Sequence, residues 1–234
     1  MLFRSIEKFN QSLEDSLAAS KSYRVNKADM LEGVWEGLEV AKSQGPRRGN
    51  TSVSTKRLTE VGMAITAEPE GFEFNRKVVR MLGNRREMIE KGESIDWATA
   101  ESLAFGTLLG EGHGVRLVGQ DSGRGTFSQR HSVLIDQNNE ERYIPLNHIS
   151  EKQGFFEVID SMLSEQAVLG YEYGYSLADP SKLVLWEAQF GDFANGAQVI
   201  IDQFVASGES KWLRMCGLVM LLPHGFEGQG PEHS

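Results

Sequence analysis

The sequence predicts an α/β fold: a largely parallel sheet flanked by helices and preceded by a helical extension. Three observations predict it. Short apolar runs at Val115–Val118, His131–Ile135, Lys182–Trp186 and Leu213–Leu222 read as strands. Residues 164–178 and 192–207 are patterned as helices, and strands that alternate with helices build a largely parallel sheet. Residues 1–95 read as helices and linker.

In order along the chain, Phe3, Ile6, Phe9, Leu13 and Leu17 recur every three or four residues, which predicts an amphipathic helix whose apolar face must pack on something. Residues 44–54 (QGPRRGNTSVS) have the composition of an exposed linker. Thr55 to Met88 again reads as helices, broken near Glu68-Pro69-Glu70-Gly71. The short carboxylate of Asp96 predicts an N-cap for a helix with Ala100, Leu103, Ala104, Thr107 and Leu108 on one side. The sheet domain is therefore predicted to span 96–234, after an extension and linker at 1–95.

A chain of 234 residues can bury a sizeable core. Its 24 basic and 33 acidic side chains give a net charge of −9, which argues against a nucleic-acid surface, because phosphate binding needs a concentrated positive face. The single cysteine, Cys216, lies in the apolar run 213–222 and reads as a core residue. No stretch approaches the roughly 18 apolar residues of a membrane span, and none has the pattern of a signal peptide, so a soluble intracellular protein is expected.

The segment 170–204 reads as a helix, an Asp179-Pro180 turn, a strand and a second helix. Gln189, Phe190 and Phe193 then fall at the carboxyl end of a strand, the edge where open α/β sheets hold ligands. Glu165 opens the first of these helices. Taken alone, a first-turn carboxylate is a favourable dipole partner, and two phenylalanines three apart are core aromatics. Gly170 and Gly174, one turn apart, predict a close helix approach. GEGHGV at 110–115 is too short for a dinucleotide fingerprint and precedes a strand, so it reads as a turn. His113, His131, His148, His224 and His233 show no metal-ligand spacing with each other or with Cys216.

SEQAVLGYEYG at 164–174, DSGRGTF at 121–127, LLPHGFEGQGPEHS at 221–234 and NKADMLEGVWEGL at 26–38 together resemble the thiamine-diphosphate-dependent decarboxylating component of the 2-oxoglutarate dehydrogenase complex. The resemblance covers nearly the whole chain and implies a transketolase-like pyrimidine-binding domain. It implies that Glu165 hydrogen-bonds N1′ of the thiamine aminopyrimidine, favouring the imino tautomer whose 4′-nitrogen deprotonates thiazolium C2. Phe190 would stack on the pyrimidine face, with Phe193 and Gln189 beside it. His233 would contact substrate and move protons, and His224 would line the cavity. The loop carrying Asp121, Arg124, Arg130 and His131 would lie near the active site at a subunit interface, its arginines holding the loop or an acidic group. The implied partners are 2-oxoglutarate, a lipoyl acyltransferase and a homodimer mate, in a bacterial cytoplasm or a mitochondrial matrix.

Gly191-Asp192 is followed by Phe193 and by no asparagine at the distance the family's Mg²⁺ motif needs. The diphosphate and Mg²⁺ site is therefore expected on another part of the enzyme, and the chain is expected to be a piece of the domain, truncated on its C-terminal side and inactive alone. Two alternatives stay open: an uncoupled 2-oxoglutarate decarboxylase or carboligase with the same motifs, and a non-catalytic interaction module.

Overall fold

The computed structural model describes residues 2–23, 32–38, 49–225 and 228. Met1–Met30 and Leu31–Ser234 form two compact units. The first is helix α1 (Leu2–Ser20), whose Ile6, Phe9, Leu13 and Leu17 are all about half exposed or more. The sequence predicts that this stripe is packed; among the described residues of its own unit there is no second helix to cover it.

In the second unit, a single turn at Gly33–Trp35 precedes α2 (Thr55–Ile65), α3 (Arg76–Lys91) and α4 (Trp97–Gly110). Trp35 Nε1 donates to Leu177 O at 3.0 Å. Each helix starts on a polar N-cap, because the first turn's free N–H groups need an acceptor. Ser54 accepts from Arg57, Asn75 from Lys77, and Asp96 from Thr99 at 2.7 Å. The stripe predicted for α4 is only half right. Leu103 and Thr107 are buried, whereas Ala100 and Ala104 face outward, and Ala98, Ser102, Phe105 and Leu109 are buried on the other sides.

Strands β1 (Val115–Gly119), β4 (Phe156–Asp160), β5 (Leu183–Glu187) and β6 (Val219–Leu221) form one parallel sheet in the order β4-β1-β5-β6. β4 is absent from the sequence prediction: its pattern, FEVID, alternates apolar with charged residues, and it is a strand because Val115–Gly119 pairs with it residue for residue. The run 131–135 is not a sheet strand. Only Leu134–Ile135 (β2) is extended, paired antiparallel with Arg142–Tyr143 (β3) in a separate hairpin. The run 213–222 shrinks to β6, with Leu213, Val219 and Leu222 partly exposed and Cys216 half-buried ahead of the strand, its Sγ 3.3 Å from Ser176 Oγ.

Alternation along the strands separates two cores. Val115, Leu117 and Leu185 point to α2 and α4, joining Val61, Ile65, Leu103, Phe105 and Leu109. Val118 and Trp186 point to the opposite face, joining Val168 and Leu169 of α5 (Glu165–Ala178) and Ala197. α2, which the sequence reading sets in the extension, thus shares a core with the sheet. The predicted helix 192–207 is irregular: a 3-10 helix at Gly191–Ala197, α6 (Gln198–Ile200), a π-helical turn at Ile201–Val205, and then α7 (Gly208–Trp212). Gly170 meets only the side chain of Ile200 and Gly174 meets nothing, so neither brings α5 against another backbone.

Candidate functional site at the carboxyl edge of the sheet

Every strand of the main sheet delivers candidate residues at its carboxyl end, because parallel strands point their exits the same way. Asp121 follows β1, Glu165 follows β4, Gln189, Phe190 and Phe193 follow β5, and His224 follows β6. From β1 the chain leaves to pair on one side with β4, then crosses to pair on the other side with β5. Exits that diverge in this way open a crevice at the sheet edge.

Glu165 is half-buried in the first turn of α5, beyond the Ser164 cap. Its carboxylate lies over the 3-10 helix: a Cβ built on Gly196 would sit 3.4 Å from Glu165 Oε2. That same helix carries Phe193 and is preceded by Phe190 at its N-cap. Phe190 meets Phe193 edge-on at 5.8 Å and Phe127 edge-on at 5.9 Å, a favoured geometry for ring quadrupoles. The exit of β6 closes the far side. Gly191 N donates to Pro223 O at 2.7 Å, and His224 Nδ1 lies 3.3 Å from Oδ1 of Asp192.

The loop after β1 is tied to the exit of β5. Thr126 Oγ1 donates to Gln189 O at 2.9 Å, while Gln189 Nε2 donates to Asp121 Oδ2 and to Thr126 Oγ1, both at 3.2 Å. Asp121 also pairs with Arg124 at 3.1 Å. His131 is not brought to this crevice. It lines a cleft of about 540 Å³ with Asn75, Lys77, Val78 and Ser128 beside α3. Burial there, with the charges of Arg85 and Arg124, lowers its pKa below the usual imidazole value. His233 lies outside the described residues, as do Asn26 to Leu31 of the N-terminal motif.

Sequence reasoning missed three contributors: Thr126, Phe127 and Glu187. The role of Arg130 it named only in kind. Arg130 is buried between Glu101 of α4 and Glu187 at the end of β5, donating to both carboxylates and to Ser122 O. Burial works against its charge, but the hydrogen bonds of Glu187 and Glu101 outweigh it and raise its pKa above the ordinary arginine value. An exact spacing could not reveal this set, since it joins residues 29 and 57 positions apart.

Among the described residues no group of three or more His, Cys, Asp or Glu side chains is placed to hold a metal ion, and no helix is long and apolar enough to cross a membrane. The set is instead a carboxylate over Gly196 and a group of rings at the exit of β5, residue types that suit a flat nitrogen heterocycle: a ring desolvates its face and a carboxylate accepts or shares a ring proton.

The chain is 63% identical over 227 residues to the 2-oxoglutarate dehydrogenase E1 components of Brucella canis and Brucella suis, and 62% identical over the same length to that of Brucella ovis. Each alignment covers 97% of this chain, which spans 23% of the length of those relatives. The profile described as "Transketolase, pyrimidine binding domain" matches residues 93–234, and with its parallel sheet and flanking helices the chain belongs to that family.

Proposed function

We propose that the chain supplies the pyrimidine side of a thiamine-diphosphate site in a 2-oxoglutarate dehydrogenase E1 component, with 96–234 as the pyrimidine-binding domain and 1–95 as its extension. The observation that carries this reading is the position of Glu165, its carboxylate set over the short helix that bears the ring wall of Phe190 and Phe193. Identity of 63% to E1 components supports the same reading.

Bound thiamine diphosphate would supply the electron sink that decarboxylation of a 2-oxo acid requires. Glu165 would hold a proton against N1′ of the aminopyrimidine. Phe190 presents a ring to the heterocycle and excludes water, braced by Phe193 and Phe127. Gln189, fixed by Asp121 and Thr126, orients that wall. His224, beside Asp192, would line the cavity, and His233 would contact substrate and carry protons. Arg124 steadies the loop through Asp121 and Ser128.

The substrate is 2-oxoglutarate, the acceptor of the succinyl group is the lipoyl group of the acyltransferase component, and the partner half of the site, with Mg²⁺, comes from elsewhere in a homodimer. The bacterial relatives support a cytoplasmic location. In the complete E1 component, Glu165→Ala is expected to lower decarboxylation of 2-oxoglutarate by about 10²- to 10⁴-fold, with circular dichroism and melting unchanged; turnover at the wild-type rate overturns the assignment. Product analysis with and without a lipoyl acceptor separates succinyl transfer from free decarboxylation or carboligation.

A further inference from the structure

We propose that Arg130, clamped between Glu101 and Glu187, is a positioning residue that locks the 121–131 loop onto the end of β5 and so sets the aromatic wall of Phe127 and Phe190. All five guanidinium N–H groups are used: Nε and Nη2 on Glu101 at 2.6 and 3.1 Å, Nη1 on Ser122 O at 2.7 Å and Glu187 Oε1 at 2.8 Å, and Nη2 again on Glu187 Oε2. No donor is left for a ligand, so Arg130 does not bind one. What it does is join α4, the loop and β5 at one point.

An apolar cluster of similar volume would hold this space as well, because desolvating three charges offsets most of their attraction. The planar fork adds direction, since each carboxylate is met by two parallel N–H groups. Direction matters at this place. Phe127 is 42% exposed, so burial alone does not hold its ring against Phe190. The polar ties around it do: Arg130 to Glu187, Thr126 to Gln189 O, and Gln189 to Asp121. At the loop's far end, Arg85 of α3 donates to the carbonyls of Gln129 and Arg130 at 2.5 and 2.9 Å. Glu187 is the tie that reaches the segment bearing the wall, while Glu101 anchors the same guanidinium to α4.

That asymmetry gives the test. Glu187→Gln and Glu101→Gln each neutralise one buried carboxylate of the same arginine, but only the first loosens the tie to β5. Amide hydrogen exchange on the complete E1 component without any ligand is expected to rise about tenfold at 121–131 and 188–193 in Glu187→Gln, the loss of one charge-assisted tie, and less than about threefold in Glu101→Gln at a comparable melting temperature. Because the proposal extends the thiamine-diphosphate reading, the complete E1 component adds a second measurement: Glu187→Gln should weaken thiamine-diphosphate binding, followed by fluorescence quenching, about tenfold more than Glu101→Gln. A wild-type enzyme that binds no thiamine diphosphate sinks the function and leaves the exchange test standing. Equal exchange in both variants overturns the positioning role. If Glu187→Gln does not fold, Glu187→Asp, which keeps the charge on a shorter stem, is judged by the same criterion. Failure of both Glu187 variants to fold while Glu101→Gln is native would assign the triad to stability alone and overturn the proposal too.

Discussion

His131 shows how one residue's surroundings set a pH response. It sits at φ 47°, a left-handed conformation that asparagine accepts more readily than most residues. Burial, then Arg85 and Arg124, depress its pKa in the folded chain below its ordinary value of 6.5. The unfolded chain therefore takes up the proton first, so His131's contribution is complete above 6.5 and is lost as pH falls through the lower folded value. Wild type is expected to lose more melting temperature between about pH 7 and 5 than His131→Asn, which has no proton to gain; identical pH profiles would exclude His131 as the source. At this scale, Glu165, Phe190 and Asp121 were named only through the motifs that resemble a family, since taken alone they read as a dipole partner, a core ring and a loop carboxylate, whereas Phe127 and Glu187 were not named at all. Nothing local marks a loop ring or a strand-end carboxylate as part of a site until the strands lie side by side.

At the scale of elements, the site depends on β1 and β5 running in close register to their ends. Gly119 is the last residue of β1, paired opposite Glu187, and a Cβ there would fall 2.1 Å from Glu187 O. Gly119→Ala must push the two strand ends apart. A loss of about 1–3 kcal/mol in denaturant unfolding is expected, by overpacking, together with faster exchange at Ser161 N, which donates to Gly119 O at 2.7 Å. Unchanged stability would mean that the strand exits tolerate separation. The elements best read from sequence were those with a local signal: the Asp96 cap and the apolar runs at 115–118 and 182–186. β4 has charges on alternate positions, and of the apolar 213–222 run only Val219–Leu221 is a strand, so hydropathy missed the first and overextended the second.

For the whole molecule, the chain spans 23% of the length of its E1 relatives. The described crevice offers a carboxylate and an aromatic wall, with no three-ligand metal group among the described residues. Calorimetry on this chain with thiamine diphosphate and Mg²⁺ is expected to give no saturable binding tighter than about 1 mM, close to −4 kcal/mol. Micromolar saturable binding would show that the crevice suffices by itself and that the half-site reading is wrong.

The sequence by itself determined the fold class, the helix caps, the order of the motifs and the family they resemble, because caps, periodicity and long uninterrupted motifs are carried by neighbouring residues. Tertiary structure alone decided which motifs meet. Pairing β1 between β4 and β5 brings Asp121, Glu165 and Phe190 to one sheet edge and sends His131 to another cleft. It also joins Arg130 to Glu101 and Glu187, since a buried guanidinium must find its acceptors wherever the fold places them, and that choice is made by strand register rather than by spacing along the chain.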